Sequence, residues 1–140
     1  MKAYTRHFYI ITLFLFLIVS TASAQKSPAG LWRATSPFYY GYPVAIIKTY
    51  ITNEKLCGEI VKVIPLNGSF VTSSKIAASG PVMMCDYHEE NGSWVGGKIY
   101  EQITAKIYPS TVAMSADGNH LYVRGYVGPF YRTGTWNRIR

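Results

Sequence analysis

Few side chains in this chain are placed to do chemistry. Arg124 stands between Tyr122 and Tyr126. A guanidinium fork with a phenol two positions away on each side suits a carboxylate or phosphate, because its paired N–H donors match two oxygens at once. Asp86, His88, Glu89 and Glu90 form the one dense ionisable cluster, beside Asn91-Gly92. Such a cluster can hold a metal or move a proton, or it can keep a hairpin tip in water, and the adjoining turn favours the last of these. Serine nucleophile elbows, glycine-rich phosphate loops and paired-carboxylate motifs are absent. Without a Cys-x-x-Cys pair a structural zinc site is not expected either. We therefore assign no catalytic residue, cofactor or metal, and expect a protein that is not an enzyme.

Aromatic rings concentrate in two further segments. Pro37 to Pro43 carries Phe38, Tyr39, Tyr40 and Tyr42, and Gly128 to Arg132 carries Phe130 and Tyr131. Aromatic loops of this kind either meet a ligand, sugar or membrane face, or fold over the end of their own domain and shield the rings.

The elements that must position these groups are strands. The 140 residues suit one domain, and with 49% hydrophobic and 15% charged residues a packed core forms and disorder is excluded. No stretch longer than ten residues carries a helical apolar period. Strands are expected at Leu31 to Ala34, Val44 to Ile51, Leu56 to Ile64, Val82 to Tyr87, Trp94 to Tyr100, Ile103 to Met114, His120 to Val127 and Thr133 to Ile139. Short turns join most of them, such as Thr52 to Lys55, Asn91-Gly92 and Ala116 to Asn119, while Asn67 to Gly80 forms a longer connection. About eight strands in sequence order predict an all-β, up-and-down antiparallel barrel, since closure removes exposed edges. A two-sheet sandwich is the competing layout.

Along the strand at His120 to Val127 the period of two separates Leu121, Val123, Gly125 and Val127 from His120, Tyr122, Arg124 and Tyr126. Either the apolar set faces the core and Arg124 stands outside, or the polar set faces inward and Arg124, Tyr122 and Tyr126 anchor an anionic head group.

Residues 1 to 24 read as a signal peptide. Lys2 and Arg6 precede an apolar run from Phe8 to Val19, and Ala22-Ser23-Ala24 gives a small-x-small cleavage pattern before Gln25. A dozen apolar residues fall short of the roughly 20 that span a bilayer. Export to the periplasm or beyond the cell is expected, with residues 25–140 as one domain and no stable membrane span after cleavage. The formal net charge is +7, and losing Lys2 and Arg6 leaves +5. Spread without basic runs, this charge favours anionic surfaces over a nucleic-acid footprint. In an oxidising compartment Cys57 and Cys85 either form a disulfide or remain two buried thiols.

Several motifs carry a resemblance. Gly30-Leu31-Trp32 near the mature start and Arg138 on the last strand resemble the Gly-x-Trp and closing arginine of lipocalin-like barrels. Leu56 to Lys62, Trp94 to Tyr100, Val123 to Gly128 and Arg132 to Trp136 extend the match. The series resembles the bacterial family called domain of unknown function 2147. The resemblance implies small exported proteins with a lipocalin-like β-barrel, and structural roles for Gly30, Trp32 and Arg138, the arginine stacking on the tryptophan across the closed end. It implies no reaction. The expected function is binding of a small hydrophobic or amphipathic ligand inside the barrel. The alternative is an envelope or host-surface interaction module that uses Tyr39, Tyr40, Tyr42 and basic charge on its outside.

Overall fold

In a computed structural model the chain forms a closed barrel of eight antiparallel strands; the structure describes residues 26–34, 44–64, 82–101 and 105–140. The strands are β1 Gly30–Ala34, β2 Val44–Thr52, β3 Lys55–Ile64, β4 Val82–Glu90, β5 Ser93–Glu101, β6 Lys106–Met114, β7 His120–Val127 and β8 Phe130–Arg138. Each pairs with its sequence neighbour, and β1 pairs with β8 through Trp32↔Arg138, Arg33↔Asn137 and Ala34↔Trp136. The segments read as a signal peptide and as the Tyr39, Tyr40 and Tyr42 loop lie outside the described residues.

Three boundaries differ from expectation. β4 continues to Glu90, because His88, Glu89 and Glu90 are exposed on a wall where polar residues cost nothing. Asn91-Gly92, both at positive φ, then turn directly into β5. β6 begins only at Lys106, after Ala105 at φ 55. β8 begins at Phe130 instead of Thr133, because Gly128 at φ 56 and Pro129 make a two-residue turn that pairs Val127 with Phe130. The aromatic segment at 128–132 is thus a hairpin tip and a strand.

Period-two alternation fills the barrel's lower half. Trp32, Ile47, Leu56, Met84, Tyr87, Val112, Leu121, Val123 and Trp136 are buried in one cluster. Glycines make room for the largest of them. Met84 lies over Gly58, and the Tyr87 ring lies so close over Gly97 that a methyl group there would overlap it. Cys57 and Cys85 form a disulfide between β3 and β4. Leu56↔Tyr87 and Gly58↔Met84 bracket an irregularity in this ladder that brings the two cysteines together.

The hairpins β2–β3, β4–β5 and β6–β7 lie at one end, with the junction of the two chain-terminal strands, and this end is closed by Trp32 and Arg138. The fully buried Trp32 indole donates to Thr49 Oγ1 (2.8 Å) and to the Pro28 carbonyl (3.1 Å). The Arg138 guanidinium stacks over the indole, 4.1 Å from the ring centroid. Its nitrogens donate to the carbonyls of Gly118 (2.6 Å), Ser27 (2.8 Å) and Ala29 (3.2 Å). One side chain thereby ties the segment before β1, the β6–β7 turn and β8 together. Asp117 shapes that turn: it accepts from Ser115 Oγ (2.5 Å), from the Asn119 backbone N–H (2.9 Å) and from Asn119 Nδ2 (3.1 Å). These bonds, the Ser115 hydroxyl foremost, hold its carboxyl down to about 2 from an ordinary 3.8.

Three stability measurements follow from these contacts. Arg138→Ala should lower the unfolding free energy by about 3 kcal/mol, because it removes the stacking and leaves three carbonyls without their donor; Arg138→Lys should recover only part, since an ammonium cannot reproduce the fork. Replacing Cys57 and Cys85 by Ser together should cost roughly 3 kcal/mol, the chain-entropy value for a loop of this length, and an unchanged urea midpoint would contradict it. The bonded Asp117 carboxylate stabilises fully above its unfolded pKa, and that stabilisation is lost as pH falls from roughly 4 to 2. In a pH series of urea midpoints, the gap between wild type and Asp117→Asn should narrow over that window.

Candidate functional site

The inward-facing set thins toward the other end, where β1, β3 and β5 finish and β8 begins. Gly97↔Ser110, Ser110↔Gly125 and Gly125↔Arg132 form one continuous row across β5, β6, β7 and β8. Partners in register share a face. Val123, with Gly125 two positions on, and Trp136, with Arg132 four positions back, are buried, so this row faces the interior. Three of its four members carry almost no side chain, so the row is a band of small residues along the inner wall. The Tyr87 ring fills the space over Gly97. Over Gly125 the packing is looser, the nearest side-chain atoms to an added Cβ being Ile99 Cγ2 at 3.8 Å and Tyr108 Cβ at 4.0 Å. Gly134 and the part-buried Ala34 and Ala45 add further small positions beside the core. Arg132 ends the row at the rim, where it is exposed.

Two hydroxyls mark the inner end of this row. Tyr87 Oη and Ser110 Oγ are buried near each other, and among the described residues no third group completes a hydrogen bond to either. Buried hydroxyls are ordinarily hydrogen-bonded, so the pair is a polar feature in an otherwise apolar floor. Burial pushes the Tyr87 phenol far above its ordinary value, and Ser110 is near enough to oppose that shift. The phenol is neutral at every physiological pH, able to donate one hydrogen bond and accept another.

The face of β7 left open by the sequence is settled by burial. Leu121 and Val123 are buried in the core, and Arg124, Tyr122 and Tyr126 stand on the outer wall. Arg124 Nε donates to Thr133 Oγ1 (3.0 Å), and its guanidinium lies over the Tyr131 ring, 4.2 Å from the centroid. Tyr126 is hydrogen-bonded with Thr111 Oγ1 at 3.1 Å and packs at 6.2 Å against Tyr131. Any anion these three meet is on the outside. Gly30, Trp32 and Arg138 come together at the closed end, where a Cβ on Gly30 would lie 2.7 Å from Arg138 Nη1.

The acidic cluster does not converge. Asp86 faces Lys55 (3.7 Å), His88 faces Glu90 (3.6 Å), and Glu89 Oε1 accepts the Gly92 N–H (2.8 Å), all of them exposed at the hairpin tip. Among the described residues no group of three or more His, Cys, Asp or Glu is arranged to hold a metal ion. Nor is any helix there long and apolar enough to cross a membrane. Sequence reasoning passed over Arg132, Tyr87 and Ser110. Stepping back by two from Trp136 reaches Gly134 and Arg132, a signal hidden once 128–132 was read as a loop. Tyr87 and Ser110 meet only through the pairing of three strands.

No curated protein matches this chain. Among solved structures it is similar to "Protein HP1028 from the human pathogen Helicobacter pylori belongs to the lipocalin family", at 20% identity with a TM-score of 0.63, over 81% of this chain and 84% of that one. At that identity the likeness is one of fold, and it is the fold described above: a closed up-and-down barrel. Residues 30–138 match the family described as "Uncharacterized protein conserved in bacteria (DUF2147)", and with that span reaching from the first strand to the last, the chain belongs to the DUF2147 family.

Proposed function

We propose that this is an exported, non-enzymatic binding protein that takes a small hydrophobic or amphipathic molecule into the open half of its barrel. The observation that carries the reading is the inner row Gly97–Ser110–Gly125–Arg132, whose small side chains would leave a trough beside a filled base. Ligand pockets are mostly apolar with a few placed polar groups. Here Ile99, Tyr108 and the small residues supply the apolar wall, Arg132 a cation at the rim, and Tyr87 with Ser110 a hydroxyl pair at the depth of the trough. An amphipathic molecule lying along it would keep an acidic end near Arg132 and its apolar body below. Export follows from the reading of residues 1 to 24 as a signal peptide, which leaves the barrel as the mature protein. Arg124, Tyr122 and Tyr126, on the outer wall, take no part in the interior site under this proposal. Tyr39, Tyr40 and Tyr42 lie outside the described residues and stay candidates for ligand contact from the sequence alone.

A fluorescent apolar probe such as N-phenyl-1-naphthylamine tests the site. Gly125→Leu, which places a branched side chain in the widest part of the trough, should weaken probe binding by about tenfold or more, because the added atoms take the ligand's volume. Arg124→Ala on the outer wall should leave it unchanged. Equal effects of the two substitutions, or none from Gly125→Leu in a folded variant, would overturn the interior site. Native mass spectrometry of protein purified gently from its own compartment should show an added mass that denaturation removes.

A further inference from the structure

The two ends of the barrel differ in a way that a ligand pocket does not require. At the closed end every hairpin tip is polar: Asn53-Glu54, Asn91-Gly92 and Ala116 to Asn119. Five of the seven acidic residues lie there or just beside it, namely Glu54, Asp86, Glu89, Glu90 and Asp117, and offset the cations Lys26, Lys55, Arg138 and Arg140 at the same end. At the open end the β7–β8 tip is Val127-Gly128-Pro129-Phe130, without one polar side chain. Phe130 is 75% exposed and Val127 59%. Continuing the β6–β7 register beyond Ser110↔Gly125 brings Ile107, 64% exposed, level with this tip. Among the described residues, exposed Lys98, Lys106 and Arg132 stand at the same end, with Glu101 as the acidic residue there. A shallow outer groove between Lys98, Ile107, Pro109 and Tyr126 continues the apolar patch down the wall.

From this polarity we infer that the open end docks on an anionic phospholipid bilayer, with the Val127–Phe130 tip inserted at the level of the headgroups and the lysine and arginine collar against lipid phosphates. The charge argument selects the occupant. A second copy of the chain would bring the same cations face to face, whereas an anionic lipid surface complements them and accepts the apolar tip in one step. A hairpin tip held by a two-residue turn enters with little loss of freedom, since Val127 and Phe130 already pair with each other across it. The inference stands on exposed residues of the rim and shares Arg132 with the interior site, so its variants are made at Val127, Phe130, Lys98 and Lys106, which leaves probe binding at Gly125 separately measurable.

Vesicle flotation tests it, using vesicles of phosphatidylcholine alone and of equal parts phosphatidylcholine and phosphatidylglycerol. The protein should float with the anionic vesicles only, and less as salt rises. Changing Val127 and Phe130 to Ser together, or Lys98 and Lys106 to Glu together, should reduce the partition coefficient by at least about tenfold. Glu89→Gln with Glu90→Gln, at the far end, should change it little. Because these side chains are exposed, folding is checked by the unchanged urea midpoint. A Phe130→Trp variant gives a second readout, its emission shifting to the blue on vesicles and being quenched by brominated acyl chains. Failure of the wild-type protein to float, equal flotation of the tip variant, or a tryptophan at 130 that stays in water would each overturn the inference. So would a dimer in analytical ultracentrifugation that the Val127 and Phe130 changes dissociate while vesicles are ignored, which would make the patch a self-association surface.

Discussion

The contact on which the rest of the structure depends is the stack of Arg138 on Trp32. A barrel of antiparallel strands is a chain of local hairpins until its first and last strands meet, and that meeting carries the longest sequence separation in the molecule. The β1–β8 ladder is short, running through three pairs where β7–β8 has eight. Backbone pairing alone is weakest at the place where closure is decided. The guanidinium compensates there: its planar face covers the indole and its edge supplies donors to three carbonyls on two separate segments.

Closing the base with Trp32, Arg138 and Thr49 fixes what the interior can hold. The lower half is filled with the largest side chains in the chain, packed to the density at which even a methyl at Gly97 has no room. Toward the other end the row Gly97, Ser110 and Gly125 brings small residues to inward positions, beside Ile60 and Ile99. The largest rings thus secure the fold near the closed end. Tyr87 sits where the two meet: its ring completes the floor, and its hydroxyl, beside that of Ser110, is the point where that floor is polar.

Much of the fold was legible because strands and tight turns are local. Alternation at His120 to Val127, the Asn91-Gly92 turn, and the count and order of strands need only neighbouring residues, and so the barrel could be expected from the sequence. Trp32 and Arg138 came from resemblance; nothing in their spacing brings positions 32 and 138 together. The site was less legible. Which face of β7 points inward is a tertiary question, since Tyr122, Arg124 and Tyr126 make as regular a pattern as Leu121, Val123 and Gly125. Arg132 was hidden because Gly128-Pro129 ends one strand and begins another in two residues, where a longer loop was expected. The disulfide depends on a β3–β4 irregularity that no local pattern encodes.

The division of charge between the ends follows from the same economy of surface. A closed barrel leaves no sheet edge to protect, so solubility does not require a charged open rim, and polar tips at the closed end already keep that end in water. Apolar residues at Val127, Phe130 and Ile107 therefore are not forced by the fold: the two-residue turn needs Gly128 for its positive φ and tolerates Pro129, but would accept polar residues on either side of them. Under the docking proposed above, the exposed ring and branched chains at the rim, beside Lys98, Lys106 and Arg132, would meet a phase that is apolar and negatively charged. A ligand site opening within such a face would exchange its contents with that phase without carrying an apolar molecule through bulk water, and the interior lining and the outer collar would then serve one physical task.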